Sequence, residues 1–235
     1  AGVMVGAGFS KNASAKYPSW FELGDILFEK AHGRRPDTNE KSYLSLLKVA
    51  EDAEAVIKRP ALDAVLMQHI PDNTVDPSVL HETLLELPWA DVLTTNYDTL
   101  LERAQRKVIS RRYSTVFHQD DLSYQKKPRI IKLHGSFPSH RPFIITEEDY
   151  RQYPQKRAPF VNTVRQALLE NTLCLIGFSG DDPNFLHWIG WIRDQLGGDQ
   201  CQPIYLIATG KISVAQQTVL AKRQIIVVDM TLCNG

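Results

Sequence analysis

Val3-Met4-Val5-Gly6-Ala7-Gly8-Phe9-Ser10 is an apolar run that empties directly into Gly-Ala-Gly. Glycines at the end of a buried strand let the backbone turn tightly and bring its N–H groups up to a pyrophosphate with no side chain in the way. Two common versions of such a turn do not fit. Lys11 stands where G-x-G-x-x-G needs its third glycine, and no second strand ends in an acid about 20 residues further on. The spacing to a Gly-Lys-Ser/Thr, which a P-loop requires, is also missing. A tight strand-to-helix turn without a ligand is the other reading of these eight residues.

Similar short apolar runs recur at Gly2-Val5, Asp91-Leu93, Tyr113-Phe117, Ile130-Leu133, Phe143-Ile145, Leu173-Ile176, Ile204-Ile207 and Ile225-Val228. Nearly continuous hydrophobicity predicts strands covered on both faces. Helical spacing predicts helices over Trp20-His32 and Ser42-Ile57, the latter through Leu44, Leu47, Val49 and Ala50. Residues from about 20 to 88 carry no convincing strand, so they read as a helical insertion after the first strand. The expected fold is α/β: a Rossmann-like, mostly parallel sheet flanked by helices. Asp182-Pro183 predicts a helix start, the acid as N-cap and proline at the first helical position. Phe185, Trp188, Ile189, Ile192 and Leu196 then form a core-facing stripe. Trp191 lies off it, as a partly exposed packing residue or as an oligomer contact.

Three further strand ends carry polar chemistry. Asp91-Val92-Leu93 runs into Thr94-Thr95-Asn96-Tyr97-Asp98, donors and acceptors suited to a ribose or carboxamide; capping of a helix over Thr99-Ala104 by Asn96 or Asp98 is the plainer reading. Ile130-Ile131-Lys132-Leu133 runs into His134-Gly135, where an imidazole beside a glycine has the chemistry of a general base, although a lone histidine is more often structural. Cys174-Leu175-Ile176-Gly177-Phe178-Ser179-Gly180-Asp181-Asp182-Pro183 repeats the first passage in form, with Ser179 and a following helix start suited to a phosphate or ribose. It also fits a plain strand-to-helix connection, with Cys174 a small buried hydrophobe.

Composition narrows the classes. Lys+Arg and Asp+Glu both number 27, without the basic excess of a nucleic-acid-binding domain. Arg34-Arg35, Arg111-Arg112 and Lys126-Lys127 read as solvated surface. Cys174, Cys201 and Cys233 are odd in number and far apart, which argues against a disulfide framework or zinc knuckle and for a reducing compartment. No apolar run reaches the roughly 18 residues of a membrane span, and no signal-peptide pattern opens the chain. Opening inside an apolar run and ending at Cys233-Asn234-Gly235, the chain is expected to be one domain, 1–235, of something longer.

Taken together and in order, Gly6-Ala7-Gly8-Phe9-Ser10, Thr95-Asn96-Tyr97-Asp98, Leu133-His134-Gly135 and Gly177-Phe178-Ser179 resemble the sirtuin superfamily, and more narrowly the sirtuin-like domains of bacterial antiphage defence proteins. The resemblance runs from about residue 2 to about residue 208. It implies NAD+ as substrate, with Gly6, Ala7, Gly8, Phe9 and Ser10 on the phosphates, Asn96 orienting the nicotinamide ribose or a water, and His134 as general base. It places Asp98, beside Thr95, on the nicotinamide carboxamide, and Gly177 and Ser179 near the phosphates and adenosine ribose. Deacylating sirtuins carry four zinc-binding cysteines and Gly-Ile-Pro-Asp-Phe-Arg after the first loop; here Lys16-Tyr17-Pro18-Ser19-Trp20 stands instead and the quartet is missing. The defence-type members imply hydrolysis of NAD+ to nicotinamide and ADP-ribose in the bacterial cytoplasm, a homo-oligomer, and a fused or separate sensor for a phage component. A protein deacylase or ADP-ribosyltransferase using the same cleft, and a non-catalytic NAD or ADP-ribose sensor, are the competing expectations. No metal, membrane or direct nucleic-acid partner is expected. Metal analysis of the purified protein should find far less than one zinc per chain, and a stoichiometric zinc would overturn that reading.

Overall fold

The computed structural model describes residues 1–235 other than 44, 180, 181, 197–199, 211, 234 and 235. Seven strands form one sheet: β1 Gly2–Val5, β2 Asp91–Thr94, β3 Ser114–Val116, β4 Arg129–Lys132, β5 Leu173–Ile176, β6 Ile204–Ala208 and β7 Ile225–Asp229. Their order is β3-β4-β2-β1-β5-β6-β7, and every pairing is parallel. The helices are α1 Ala7–Ser10, α2 Trp20–His32, α3 Thr38–Tyr43, α4 Leu46–Ile57, α5 Arg59–His69, α6 Val79–Glu86, α7 Leu100–Ala104, α8 Glu147–Lys156, α9 Ala158–Glu170, α10 Pro183–Leu196 and α11 Val214–Lys222.

Alternation of side chains along a strand covered on both faces explains why the central strands place apolar residues on both sides. Val3, Val5, Val92 and Ile130 point to one face, packed with Leu84, Leu85, Leu101 and Trp89. Met4, Leu93, Ile131, Leu175 and Leu206 point to the other, against Phe160, Val164, Trp188 and Ile189 of α9 and α10. A third cluster joins Leu23 and Leu27 of α2, Val49 and Ala53 of α4 and Leu62 and Leu66 of α5 to Tyr97 and Phe143. The helices between β1 and β2 therefore bring their own core to the carboxyl ends of the strands.

Most expected elements form where the patterns placed them, and α2 spans the expected residues. Its start follows from Ser19, whose side chain accepts from Glu22 N while Glu22 accepts from Ser19 N; its end follows from Gly33 in the left-handed region. Ser42-Ile57 is not one helix: α4 begins at Leu46, α3 precedes it, and Leu44 lies outside the described residues. Phe143-Ile145 is not a strand. These residues are a buried connection whose polar backbone is satisfied without a ladder, since Ile144 N donates to His134 O and Ile144 O accepts from the Tyr97 hydroxyl at 2.7 Å. Phe143 and Ile145 face one core and Ile144 another, which produced the strand-like pattern. On α10, the stripe from Phe185 to Ile192 is buried and Leu196 is exposed. Trp191 packs at the edge of the core with the Arg165 guanidinium over its ring at 4.3 Å.

Arg59 ties α5 to α8 and to the connection before it. It donates to Asp63 Oδ1 at 3.0 Å, to Asp149 Oδ2 at 3.0 Å and to the Phe143 carbonyl. Removing Arg59 leaves Asp149 without a cation among the described residues, while Asp63 keeps Arg141 at 2.8 Å. Arg59→Ala should therefore lower unfolding free energy by about 2–4 kcal/mol, seen as a lower denaturant midpoint at unchanged slope. A loss below about 0.5 kcal/mol would mean that solvent carries these charges.

Candidate functional site

The site lies where the chain leaves β1, β2 and β5 at their carboxyl ends. Gly6 N donates to Ile176 O at 3.0 Å and Gly8 N to Gly177 O at 2.9 Å, so the first turn rests on the loop after β5. A Cβ on Gly6 would come within 2.5 Å of Gly177 O, and one on Gly177, whose φ is +61°, within 2.1 Å of Phe9 N. The glycines are thus required for two loops to touch, and the N–H groups of Gly6 and Gly8 are committed to that contact. The expectation gave those groups to a phosphate; the physical reason for glycine here is the closeness of protein to protein.

That contact sets Ser10 in place. Its hydroxyl donates to Asp98 Oδ2 at 2.7 Å and accepts from Asn96 Nδ2 at 3.1 Å. Asn96 is held from its backbone as well, its N–H donating to Thr94 Oγ1, which in turn donates to Val5 O at 2.9 Å. Asp98 Oδ1 also accepts from Leu100 N at the start of α7, but the N-cap position is Thr99 and is held by neither Asn96 nor Asp98. Burial raises the Asp98 pKa, opposed by the Lys132 charge and the bonds from Ser10 and Leu100 N. Lys132, 0% exposed, donates to the Asp98 carbonyl at 2.5 Å and pairs with Glu102 at 3.0 Å. Sequence reading passed over this lysine. Its signal was a lone cation inside a strand buried on both faces, which must have a partner.

These residues open on a cavity of about 490 Å³. Ala7, Gly8, Ser10, Thr95, Asn96, Asp98, Gly177 and Ser179 line it; Gly6, Phe9 and His134 do not. Phe9 packs on His81 at 4.6 Å between ring centroids. Gly180 and Asp181 lie outside the described residues. The helices after β1 supply an apolar wall, including Leu23, Leu46 and Ile70.

His134 sits one layer back at 1% exposure, between the edges of Tyr150 and Tyr153 at 5.4 and 5.6 Å, with Nε2 3.4 Å from Asn184 Nδ2. Burial pushes its pKa down, with Asp182 and Asp149 pulling the other way. Tyr150 is the cavity-lining ring in front of it and donates to Asp182 Oδ2 at 2.8 Å. Asp182 also lines the cavity and caps α10, accepting from Phe185 N at 3.0 Å as expected. Neither Tyr150 nor Asp182's place on the wall was legible, because both depend on how α8 and α10 cross. Among the described residues, no group of three His, Cys, Asp or Glu side chains has the arrangement of a metal site, and no helix is long and apolar enough to cross a membrane.

Comparison with known proteins gives three findings. Residues 90–228 match the SIR2-like domain family. The chain is 26% identical over 221 residues to defense-associated sirtuin 2 of Bacillus subtilis, covering 92% of this chain and 21% of that protein. It is 30% identical over 217 residues to NAD(+) hydrolase ThsA of Enterococcus faecium, covering 88% of this chain and 42% of that protein. The chain spans less than half the length of these relatives. A crystal structure of a Sir2 homolog–NAD complex superposes with a TM-score of 0.50 at 15% identity, covering 96% of this chain and 82% of that one. A Sir2 homologue bound to ADP-ribose gives 0.52 at 14% identity, covering 100% and 93%. These two likenesses show a shared fold.

Lys132 sets the level of the Asn96–Asp98 loop from beneath. Lys132→Met leaves Glu102 buried and unpaired, and should cost about 3–5 kcal/mol in denaturant unfolding. Adding Glu102→Leu should recover most of that loss, and strict additivity of the two changes would show that the pair does not act as one unit.

Proposed function

The chain belongs to the SIR2-like domain family, and we propose that it binds NAD+ in the cavity beside Ser10 and Asn96 and hydrolyses it to nicotinamide and ADP-ribose. The observation that carries this reading is the state of Asn96. Its amide nitrogen is fixed by Ser10, while its Oδ1 is buried on the cavity wall without a hydrogen-bond partner among the described residues. An orphaned acceptor held in one orientation is suited to a ribose hydroxyl or an attacking water.

In the reaction, the bond between ribose C1′ and the pyridinium nitrogen breaks and its electron pair leaves with neutral nicotinamide. Positive charge grows on the ribose, water oxygen bonds to C1′, and one water proton must go to a base. Asn96 orients the ribose or the water, and the Asp98 carboxyl accepts from the carboxamide. His134 is assigned the proton. Its depressed pKa keeps the ring neutral near pH 7, and its position behind Tyr150 requires that ring to give way for water to reach it. The fixed Gly6–Gly177 contact leaves Ala7, Gly177 and Ser179 on the wall for the phosphates.

The relatives' names, defense-associated sirtuin and NAD(+) hydrolase, support a role in defence; that it acts against phage by depleting NAD+, with a sensor region and assembly in the rest of a longer protein, is part of the proposal. Action in the cytoplasm is part of the same proposal.

Nicotinamide release by the full-length protein tests the reading. Asn96→Ala and His134→Ala should each lower kcat by at least about 100-fold, with the double variant little worse than either, because they serve one step. NAD+ affinity should change by less than about tenfold. The sign of the pH effect follows from burial: a base whose pKa lies below the ordinary 6.5 remains unprotonated further into acid, so the acidic limb of kcat/KM should fall below pH 6.5. If His134→Ala keeps near-normal turnover and Asp182→Asn does not, the proton goes to Asp182.

A further inference from the structure

Several buried side-chain polar atoms have no hydrogen-bond partner among the described residues, and two of them belong to residues that line the cavity: Asn96 Oδ1 and the Tyr17 hydroxyl. Tyr17 is 3% exposed. Leaving such a hydroxyl unsatisfied costs about 1–3 kcal/mol, and a phenylalanine would give the same packing without that cost. Tyr17 lines the cavity, so a group that enters there and reaches this covered hydroxyl would supply the missing bond.

The surroundings narrow what that group is. Pro18, Trp20 and Leu23, which follow Tyr17 in the chain, line the same cavity, as does Ile70. This wall suits a flat apolar ring and offers little to a sugar. Burial raises the Tyr17 pKa, and the charges of Asp98 and Asp72 raise it further, so the phenol stays protonated and acts as a donor. Of these two, Asp98 lines the cavity, where its charge, shared with Lys132, faces an incoming ring, while Asp72 is paired with Arg103 at 3.1 Å. An apolar wall with one buried donor and an adjacent acid complements a pyridinium that bears a carbonyl.

We infer that Tyr17 is a substrate-positioning residue whose hydroxyl donates to the carboxamide oxygen of the nicotinamide ring, setting the cavity's preference for a 3-carboxamide pyridinium. The inference rests on the proposed NAD+ site. It divides the carboxamide between two side chains, the Asp98 carboxyl accepting from its NH2 and Tyr17 donating to its oxygen. Ser10 and Asn96 are left for the ribose.

Tyr17→Phe in the full-length protein tests this, with NAD+ and ADP-ribose titrated calorimetrically beside a nicotinamide-release assay. ADP-ribose lacks the pyridinium and serves as the internal control for an intact site. The expected result is about a tenfold weaker Kd for NAD+ with the ADP-ribose Kd unchanged within about twofold, as for one lost hydrogen bond. Tm should hold or rise, because the hydroxyl makes no bond to the protein; a residue needed only for packing or folding would lower it. Equal losses for both ligands, or none for either, overturn the assignment. If wild type binds NAD+ but releases no nicotinamide, the hydrolase reading falls and the binding comparison still decides Tyr17. If turnover is present and the variant matches wild type with both ligands, Tyr17 alone falls. Failure of wild type to bind NAD+ removes both.

Discussion

The close contact between the turn after β1 and the loop after β5 is the constraint on which the site depends. Central neighbours in a parallel sheet deliver their carboxyl ends to one place, but ordinary residues would hold the two loops apart by at least one layer of side chains. Gly6, Gly8 and Gly177 remove that layer, and the Gly8 N–H closes the gap by donating to Gly177 O. Because β1 pairs with β2 on one side and β5 on the other, the chain's connections diverge here. Open α/β sheets leave their crevice at such a divergence. Ser10, four residues past the first glycine, thereby meets the loop after β2 and not solvent.

From Ser10 a line of buried polar groups runs back into the protein: Asn96 and Asp98 on the serine hydroxyl, Lys132 on the Asp98 carbonyl, Glu102 on Lys132. Buried networks specify geometry because the alternative is an unpaired group in a low dielectric. The arrangement holds the Asn96 side-chain nitrogen on Ser10 and its backbone N–H on Thr94 Oγ1. Its rigidity comes from below the cavity, so a ligand entering from above does not have to order it.

The sheet was readable because strands covered on both faces carry short, nearly continuous apolar runs, and seven of the runs became strands, with charged residues such as Asp91, Arg129 and Lys132 only at their ends. Phe143-Ile145 had the same composition and failed, since burial between two cores imitates burial in a sheet. Site residues were legible where a strand end coincided with a polar cluster, as at Asn96 and Asp98. His134 was correctly placed at a strand end, but its depth behind Tyr150 depends on α8, which lies distant in sequence. The glycines were legible as a tight turn, and the structure adds the loop contact that they permit. Tyr17 gave no local signal, because an orphaned hydroxyl is defined by the partners that surrounding helices fail to offer.

The helices between β1 and β2 explain how a crevice becomes a chamber. Strand ends alone would leave the polar groups of the loops facing bulk water, where Coulombic and hydrogen-bonding selectivity is weak. Here α2 and α4 contribute Leu23, Leu46 and Leu47 to the opposite wall and carry a separate core of their own, so the wall stays rigid without leaning on the ligand. Arg59 then binds that core to Asp149 on α8, the helix that also carries Tyr150. Polar and apolar halves of the cavity are therefore mechanically joined through α8.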